Sequence, residues 1–314
     1  KNMALRKEQD SKITTFLGHL SLNNNNTIFG MTGIIIKAKL KVFKLPTTNI
    51  KIENLNLSKK TSIITGGAGH LGMCIADKLS LCGSNLILID LDEKRLHKVK
   101  KKLEKKNRIK VRTLPLDLTN KKERIDCIKL IKKEYKVIDI MVNSIGMVGT
   151  DNMKGWNESF ENQCYDAWNK AIDTNLTSIF FLIQGIYKIM KKSKNASIIN
   201  VSSIYGVNAP DWDLYKGTAI NNPAAYSVSK AGLIYMTKWL ASTLAPNIRV
   251  NAVSPGGIER SQEKYFIKKY NKKTLLNRMA TESDVSEPVL FLASNMSSYI
   301  TGQNLIIDGG WTIK

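Results

Sequence analysis

The sequence ITGGAGHLGM, from Ile64 to Met73, decides the fold class of this 314-residue chain. It follows a short apolar run, TSIIT (61–65), and opens an amphipathic stretch that stops at Gly83. Glycines let a backbone approach a pyrophosphate, and the N-terminus of the following helix favours its negative charge. The order of strand, glycine loop and helix therefore predicts a dinucleotide cradle, with contacts from Thr65, Gly66, Gly67, Gly69, His70, Leu71 and Gly72.

His70 stands where many such loops carry another glycine. Its side chain either points outward at the start of the helix, near the pyrophosphate, or fills space above the cofactor. A catalytic or metal-binding role is the least favoured reading, because His19 and His97 lie in unrelated segments.

Apolar runs alternate with segments of helical periodicity along the rest of the chain. Strands are predicted at 61–65, 85–90, 109–118, 137–146, 197–203, 248–255 and 304–310. The helices expected between them lie at 73–83, 93–107, 121–135, 166–192 and 223–245. This alternation predicts an α/β, Rossmann-type doubly wound fold: a mostly parallel seven-stranded sheet with helices on both faces and its ligand at the carboxyl ends of the strands.

The regular pattern begins near residue 57. Residues 57–314 are predicted to form one Rossmann domain that binds NAD(P). Residues 1–56 are irregular, apart from an alternating segment from Gly33 to Leu45, and are interpreted as an N-terminal extension of unknown role. That extension either adds a small hairpin or is poorly ordered.

Bulk properties narrow the functional classes. The net charge of +22 raises the question of nucleic acid, but the basic residues are spread along the chain without an aromatic-interleaved stripe, so no nucleic-acid role is expected. No apolar run reaches membrane-spanning length, so no membrane association is expected. The four cysteines form no CxxC pair, which indicates a reduced, cytoplasmic protein without a bound metal.

Asp90 ends the second predicted strand, eighteen residues after Gly72. A carboxylate at this place accepts hydrogen bonds from both ribose hydroxyls and repels a 2′-phosphate, which favours NAD, with NADP as the alternative. Leu91 follows it and is counted among the cofactor contacts. The competing interpretation of Asp90 is a simple strand-end or turn residue, since Asp92 is also near.

The sequence YSVSK (226–230) places Tyr226 and Lys230 four residues apart on a predicted helix, and hence on one face. A neighbouring ammonium favours the phenolate and is expected to lower the pKa of the tyrosine. Such a tyrosine can exchange a proton with a substrate oxygen while a hydride moves.

From Lys59 to Thr312 the chain resembles the short-chain dehydrogenase/reductase family, in its compact, single-domain branch. The shared motifs keep the family's order: TGGAGHLG, DLT (117–119), NSIG (143–146), DTNLTS around Asn175, INVSS (199–203), YSVSK, VNAVSPGGI (250–258) and YITGQNLIIDGG (299–310). The resemblance implies an oxidoreductase that transfers hydride between a nicotinamide and a carbonyl or alcohol carbon. It also implies four catalytic residues: Ser203 to polarise the substrate oxygen, Tyr226 as acid/base, Lys230 to depress its pKa and bind the nicotinamide ribose, and Asn175 to hold a relay water.

The same resemblance implies the remaining cofactor contacts. They are Asp117 and Leu118 by the adenine, Asn143, Ser144 and Gly146 along the cofactor, and Pro255, Gly256 and Ile258 toward the carboxamide.

Three departures from the family pattern bear on the substrate. The loop reads TGxxGxxG, a spacing more typical of the family's extended branch, which acts on nucleotide sugars. Ser203 and Tyr226 are 23 positions apart, more than is usual in the compact branch, and the extra residues fall within 206–223. Arg260 stands where a threonine often touches the carboxamide, so the nicotinamide anchor differs or the arginine meets an anionic group.

The inserted residues border the predicted site, so they are expected to shape the substrate pocket, with surface decoration as the alternative. Polar and aromatic side chains there suit a sugar-like ligand. The predicted pocket residues are Ser203, Tyr205, Asp211, Trp212 and Tyr215. This insertion also resembles a sub-branch found with bacterial surface-glycan and flagellin-modification pathways of the legionaminic-acid type.

The leading hypothesis is an NAD(P)-dependent oxidoreductase for a small carbonyl or alcohol substrate, most plausibly a sugar or sugar derivative. One alternative is a 3-oxoacyl-thioester (acyl carrier protein) reductase, and another is a non-catalytic NAD-binding scaffold or sensor. The resemblance implies a homodimer or homotetramer that packs through the helices at 166–192 and 223–245.

Overall fold

A computed structural model describes residues 21–22, 28–29, 53–148, 153–218 and 221–314. The chain divides into two units, Lys1–Ile50 and Lys51–Lys314. In the first, Ser21–Leu22 pairs antiparallel with Ile28–Phe29. The alternating segment at 33–45 lies outside the described residues, and the interpretation of residues 1–56 stays a prediction.

The second unit contains the seven-stranded sheet that the alternation predicted. Its strands are β1 (Thr61–Thr65), β2 (Asn85–Asp90), β3 (Val111–Pro115), β4 (Ile140–Asn143), β5 (Ala196–Val201), β6 (Ile248–Pro255) and β7 (Asn304–Ile307). They lie in the order β3-β2-β1-β4-β5-β6-β7, and every pair is parallel. The predicted α/β, doubly wound fold class is confirmed.

Helices connect these strands. They are α1 (His70–Leu81), α2 (Glu93–Asn107), α3 (Lys121–Glu134), α4 (Tyr165–Ile172), α5 (Ser178–Met190), α6 (Trp212–Tyr215), α7 (Ala224–Leu244), α8 (Lys264–Lys273) and α9 (Glu282–Ala293). Several begin at side chains that cap free backbone amides: Asp92 accepts from Arg95 N, and Thr281 and Asp284 form a capping box.

The sheet separates two apolar cores, as a doubly wound fold requires. On one face, residues of α3, α5 and α7 pack against the strands, among them Ile131, Ile183 and Leu233. On the other face, residues of α1, α2 and α9 do the same, including Leu79 and Leu96. Strands β4 and β5 are buried along their whole length, which explains why they read as continuous apolar runs.

The helix predicted at 166–192 is interrupted. One π-helical turn, Asp173–Thr177, separates α4 from α5. A π-turn widens the backbone spiral and is often found at functional sites. Periodicity alone did not predict this turn, and it did not predict α8 or α9. Over the described residues, none of the helices has the length and apolar character needed to cross a bilayer.

Candidate active site

The glycine loop joins β1 to α1 at the carboxyl edge of the sheet. Gly66 has a φ of +69°, and a Cβ there would come within 2.8 Å of the Ser144 carbonyl oxygen. A Cβ on Gly72 would collide with the Gly66 carbonyl oxygen. A side chain is therefore sterically excluded at both positions. The backbone amides in the first turn of α1 can then bind an anion. This shape fits a dinucleotide pyrophosphate.

Two other loop residues differ in their surroundings. His70 is exposed as the first residue of α1, which agrees with the outward orientation considered for it. Thr65 is buried, and its Oγ1 accepts a hydrogen bond from Ile145 N at 3.3 Å. The loop is thus attached to the segment that follows β4.

Asp90 is half-buried at the end of β2 and contacts the loop directly. Its Oδ2 accepts from Ala68 N at 2.9 Å, and its Oδ1 accepts from Asp92 N at 3.3 Å. The carboxylate is therefore held beside the cradle. Each of its oxygens can accept more than one hydrogen bond, so it can still accept hydrogen bonds from a ligand. Leu91, next in sequence, is exposed.

Asp117 lies beyond β3 and accepts from both the backbone N and the Oγ1 of Thr119, at 2.8 and 2.7 Å. Partial burial opposes its charge, but these hydrogen bonds and the Lys170 ammonium at 3.3 Å outweigh burial and lower the pKa of the carboxyl. Leu118 is buried in the core.

Asn143 ends β4 next to β5. Its Nδ2 donates to Asn200 Oδ1 at 2.8 Å, and Asn200 in turn donates to Thr237. The Asn143 side chain is thus fully buried in the protein interior. The backbone of Ser144, in contrast, lies against the glycine loop.

Ser203 follows β5 and is buried beside Tyr226 of α7. Its Oγ accepts from Tyr205 N at 3.2 Å, and its hydroxyl is hydrogen-bonded to the Tyr226 phenol. The neighbouring Ser202 instead donates to the Lys230 carbonyl oxygen at 2.8 Å. The structure therefore distinguishes the two serines: Ser203 faces the tyrosine, and Ser202 attaches the strand end to α7.

Lys230 lies one helical turn after Tyr226 and is 4% exposed. Its Nζ donates to the Val201 carbonyl oxygen at 2.9 Å and lies 5.8 Å from the centre of the Tyr226 ring. A Cβ on Gly146 would lie 3.3 Å from this Nζ and 3.5 Å from Asn175 Oδ1. Gly146 therefore lies close to both Lys230 and Asn175.

Asn175 is fully buried in the π-turn. Its Oδ1 accepts from Met147 N at 2.7 Å, and its Nδ2 donates to Ser229 Oγ at 2.9 Å. Ser229 donates onward to the Tyr226 carbonyl oxygen at 2.8 Å. This chain of hydrogen bonds joins the π-turn to α7.

Burial opposes the pKa shift that is expected for this pair. Burial raises the pKa of the Tyr226 phenol, and the hydrogen bond with Ser203 only partly offsets that rise. Burial also lowers the pKa of Lys230 to about 8. Desolvation disfavours the charged form of each group, which accounts for both directions.

The segment after β6 carries the residues that are predicted to lie toward the carboxamide. Pro255 ends the strand, and Gly256 N donates to the Ile307 carbonyl oxygen at 2.9 Å. Ile258 forms an isolated bridge with Ala280. Arg260 forms a salt bridge with Glu282, whose carboxylate oxygen lies 3.0 Å from Arg260 Nε. The arginine therefore has an acidic partner within the protein.

The described residues of the insertion, 206–218 and 221–223, surround α6. Tyr215 donates to the Tyr205 phenol at 2.6 Å, and both rings join a cluster with Phe266 and Trp311. Burial raises the pKa of both phenols.

Two other inserted residues differ in exposure. Asp211 caps α6 and pairs with Lys273 at 2.5 Å, whereas Trp212 is 54% exposed. The insertion is therefore a packed element and not a surface decoration.

A family model described as enoyl-(acyl carrier protein) reductase matches residues 66–312, which include the glycine loop from Gly66 onward together with Ser203, Tyr226 and Lys230. The chain belongs to the short-chain dehydrogenase/reductase family. It is accordingly an NAD(P)-dependent oxidoreductase that acts on CH–OH groups.

Individual relatives span the same region. The chain is 34% identical over 259 residues to a post-translational flagellin modification protein A of Campylobacter coli, which covers 81% of this chain and 99% of that protein. It is 33% identical over 264 residues to a 3-oxoacyl-(acyl-carrier-protein) reductase of Thermotoga maritima, covering 82% of this chain and all of that one. A short-chain dehydrogenase from Leptospira borgpetersenii, solved with bound NAD+, superimposes with a TM-score of 0.69 at 35% identity, over 81% of this chain and 93% of that one.

Within this short-chain dehydrogenase, a groove of about 690 Å³ is lined by residues that follow Ser203 and Tyr226 in sequence, such as Tyr205 and Ser227, but not by Ser203 or Tyr226 themselves. Tyr205 and Trp212 of the inserted region line it, together with Phe160 from the segment before α4. Amide side chains complete the wall, namely Gln163, Asn208, Asn221 and Asn222. Of the predicted pocket residues, Ser203, Asp211 and Tyr215 do not line the groove. Tyr215 instead contacts Tyr205 and Trp212, which do.

Some residues of the site had no signal in the sequence. Ser229 lies inside the YSVSK motif, but only the fold shows that it connects Asn175 to α7. Tyr270 of α8 accepts from Gly257 N and so supports the turn after β6. The described residues contain no cluster of three or more His, Cys, Asp or Glu side chains suited to a metal ion.

Proposed function

We propose that this enzyme is an NAD-preferring oxidoreductase that acts on a sugar or a sugar derivative. The observation that carries the proposal is the meeting of Ser203, Tyr226 and Lys230 beside a side-chain-free glycine loop whose neighbouring acid is Asp90. Hydride transfer needs a proton partner, a polarised substrate oxygen and a cofactor cradle, and these groups can supply all three.

Ser203 and Tyr226 are proposed to act on the substrate oxygen. The Ser203 Oγ already accepts from Tyr205 N, so its own proton is available to the substrate. Tyr226 takes or gives the proton at that oxygen, and its raised pKa keeps the phenol protonated for the reducing direction. When bound, the dinucleotide supplies or takes up the hydride at its nicotinamide.

Lys230 and Asn175 are proposed to act beside Tyr226. The Lys230 ammonium holds positive charge near the phenol and reaches the nicotinamide ribose. With a pKa of about 8, it can also exchange protons near neutral pH. Asn175 holds a relay water that connects this lysine to solvent.

The proposed preference for NAD rests on Asp90. The carboxylate is fixed beside the cradle by the Ala68 amide, where it would accept from ribose hydroxyls and repel a 2′-phosphate. The other proposed cofactor contacts are the residues predicted from the sequence in the glycine loop and after β3, β4 and β6. Asn143 would contribute its backbone.

The groove lined by Tyr205 and Trp212 supports the proposal of a sugar-like substrate. Aromatic faces such as Trp212 and Phe160 can stack against a sugar ring, and surrounding amides can bind hydroxyl groups. The similarity to the flagellin modification protein agrees with this class of substrate.

The similarity to the 3-oxoacyl-(acyl-carrier-protein) reductase favours a second candidate, an acyl thioester. That reaction usually draws on NADPH, which the proposed role of Asp90 disfavours.

We also propose that the enzyme assembles as a homodimer or homotetramer. Large apolar side chains are exposed along α5 and α7, among them Phe181, Val228, Tyr235 and Trp239. A contiguous apolar helical face of this kind is typical of an interaction surface.

A paired screen tests the proposed function. NAD and NADP are each supplied with sugar nucleotides, free sugars and acyl thioesters, and turnover is followed by nicotinamide absorbance. We expect NAD-linked turnover of a sugar. Turnover of acyl thioesters alone with NADPH would instead establish the second candidate.

A further inference from the structure

Helix α8 carries lysines on two sides, and the sides differ. Toward the insertion, Lys273 pairs with Asp211, and Lys269 Nζ donates to the carbonyl oxygens of Asp213 and Lys216 at 2.9 and 3.3 Å. The ammonium groups of these two lysines therefore have partners within the protein.

On the other side, Lys264, Lys268 and Lys272 have no carboxylate or carbonyl partner within the part of the chain that the structure describes. They are four residues apart, so their side chains follow one stripe of the helix. Like charges at this spacing destabilise a helix. An anion bound along the stripe would remove that repulsion.

A cleft of about 500 Å³ runs beside this stripe. The three lysines line it with Ile267, Asn271, Asn277 and Glu259. Glu259 is the single acid among these lining residues, so the cleft keeps a net positive charge.

We infer that this cleft binds the phosphate or diphosphate ester group of a small-molecule substrate. Lysines bind phosphates as compact point charges, and a row of three matches an anion with several charges better than a single carboxylate. Glu259, which lines the cleft, directly follows in sequence Ile258, the residue proposed to face the nicotinamide. The inference rests on the proposed function, because it assigns the anionic part of that enzyme's substrate.

Calorimetry with inorganic pyrophosphate on the NAD-loaded enzyme tests the site without any turnover. The double variant Lys268→Gln/Lys272→Gln should lose at least about fivefold in affinity, and raised ionic strength should weaken binding to the native enzyme. The matched control is Lys98→Gln/Lys102→Gln, which removes two exposed lysines at the same spacing on α2. Both variants should unfold at or above the native temperature, since each loses a like-charge pair.

Absence of pyrophosphate binding, or equal affinity in the two double variants, overturns the inference. UDP-glucose and coenzyme A then separate the sources of the ester. Tighter binding of UDP-glucose than of pyrophosphate, lost in Lys268→Gln/Lys272→Gln, assigns a sugar nucleotide, and the same result for coenzyme A assigns an acyl thioester. If neither binds more tightly than pyrophosphate, the cleft is not a substrate-ester site. Because calorimetry measures binding directly, its result can be interpreted even if the screen finds no turnover of a sugar.

Discussion

Tyr226 and Lys230 show how burial and charge compete at single residues. Their spacing in YSVSK puts them on one face of α7, and the sequence predicts that much. Their pKa values depend on how much water the fold removes. Burial raises the pKa of Tyr226 and lowers that of Lys230 to about 8, and only the packing of β5, α7 and the π-turn determines this.

Tyr226→Phe removes the phenolic proton while it keeps the ring. We expect NAD binding to stay within about twofold and turnover to fall by at least about a hundredfold, because general acid–base catalysis contributes on that order. Cofactor titration and steady-state rates measure the two effects. Tyr235→Phe, at an exposed position of the same helix, is the control and should leave both unchanged. Full activity of Tyr226→Phe would remove the tyrosine from the mechanism.

Lys230→Met tests the buried ammonium through stability. The pKa of Lys230 is about 8 in the folded enzyme and ordinarily 10.5, so its side chain binds more protons in the unfolded chain between these values. Its contribution to the free energy of unfolding should therefore rise with pH, by about 1.5 kcal/mol from pH 8 to 9.5. The buried Cys127 thiol, whose pKa is raised to about 12, acts in the opposite direction over the same window in the native enzyme and in any Lys230 variant. Above about pH 10, ionisation of Tyr226 in the unfolded chain has the opposite effect.

Urea denaturation at several pH values measures this trend. Lys230→Met lacks the titrating group, so from pH 8 to 9.5 its free energy of unfolding should change by about 1.5 kcal/mol less favourably than that of the native enzyme. Parallel curves for the two proteins would show that Lys230 has an ordinary pKa.

Asp90→Asn tests the choice of cofactor. The amide oxygen can still accept from Ala68 N, so the loop should hold its shape, while the negative charge that repels a 2′-phosphate is gone. We expect the ratio of kcat/KM for NAD over NADP to fall by about tenfold, near 1.4 kcal/mol of discrimination. Asp90→Ala removes the acceptor as well and should also weaken NAD binding. A native enzyme that prefers NADP would contradict this role of Asp90.

At the scale of elements, α8 and the insertion form a pair that the sequence did not predict. The cluster Lys268 to Lys273 reads as a charged run in the sequence, yet Lys269 and Lys273 both contact the insertion around α6. These contacts span more than fifty residues of chain, so no local pattern indicates them. The π-turn at 173–177 is similar, because its sequence fits an uninterrupted helix.

Lys269→Met/Lys273→Met should loosen the insertion. We expect KM for the substrate to rise more than kcat falls, and residues 206–223 to be cleaved faster by a protease, because α6 loses its polar contacts to α8. Limited proteolysis and steady-state kinetics measure these changes. Lys98→Met on α2 is the matched control. Unchanged cleavage would show that the aromatic cluster of Tyr215 and Phe266 holds the insertion alone.

At the scale of the whole molecule, the parallel sheet brings distant motifs to one edge. Residues of β1, β2, β4, β5 and β6 meet at their carboxyl ends, so that the glycine loop, Asp90 and Ser203 come together from separate parts of the chain. The sheet leaves α5 and α7 on the outside with apolar side chains exposed.

Tyr235→Glu/Trp239→Glu tests the proposed assembly. Charges on the exposed face of α7 would have to be desolvated in an interface, so we expect a lower oligomeric state at micromolar concentration. Light scattering after gel filtration measures the mass. Lys98→Glu, on α2, should not change it. A native enzyme that is already monomeric would exclude this interface.

The sequence by itself determined the α/β order, the seven strands, the glycine cradle and the spacing of Tyr226 and Lys230. These depend on local periodicity and on steric freedom within a few residues. The tertiary structure decided which serine faces Tyr226, that the Asn143 amide turns under the sheet, how burial shifts the catalytic pKa values, and which lysines of α8 find partners. Those outcomes depend on contacts between distant segments and on water removed by packing, and neither is encoded in the pattern of any one segment.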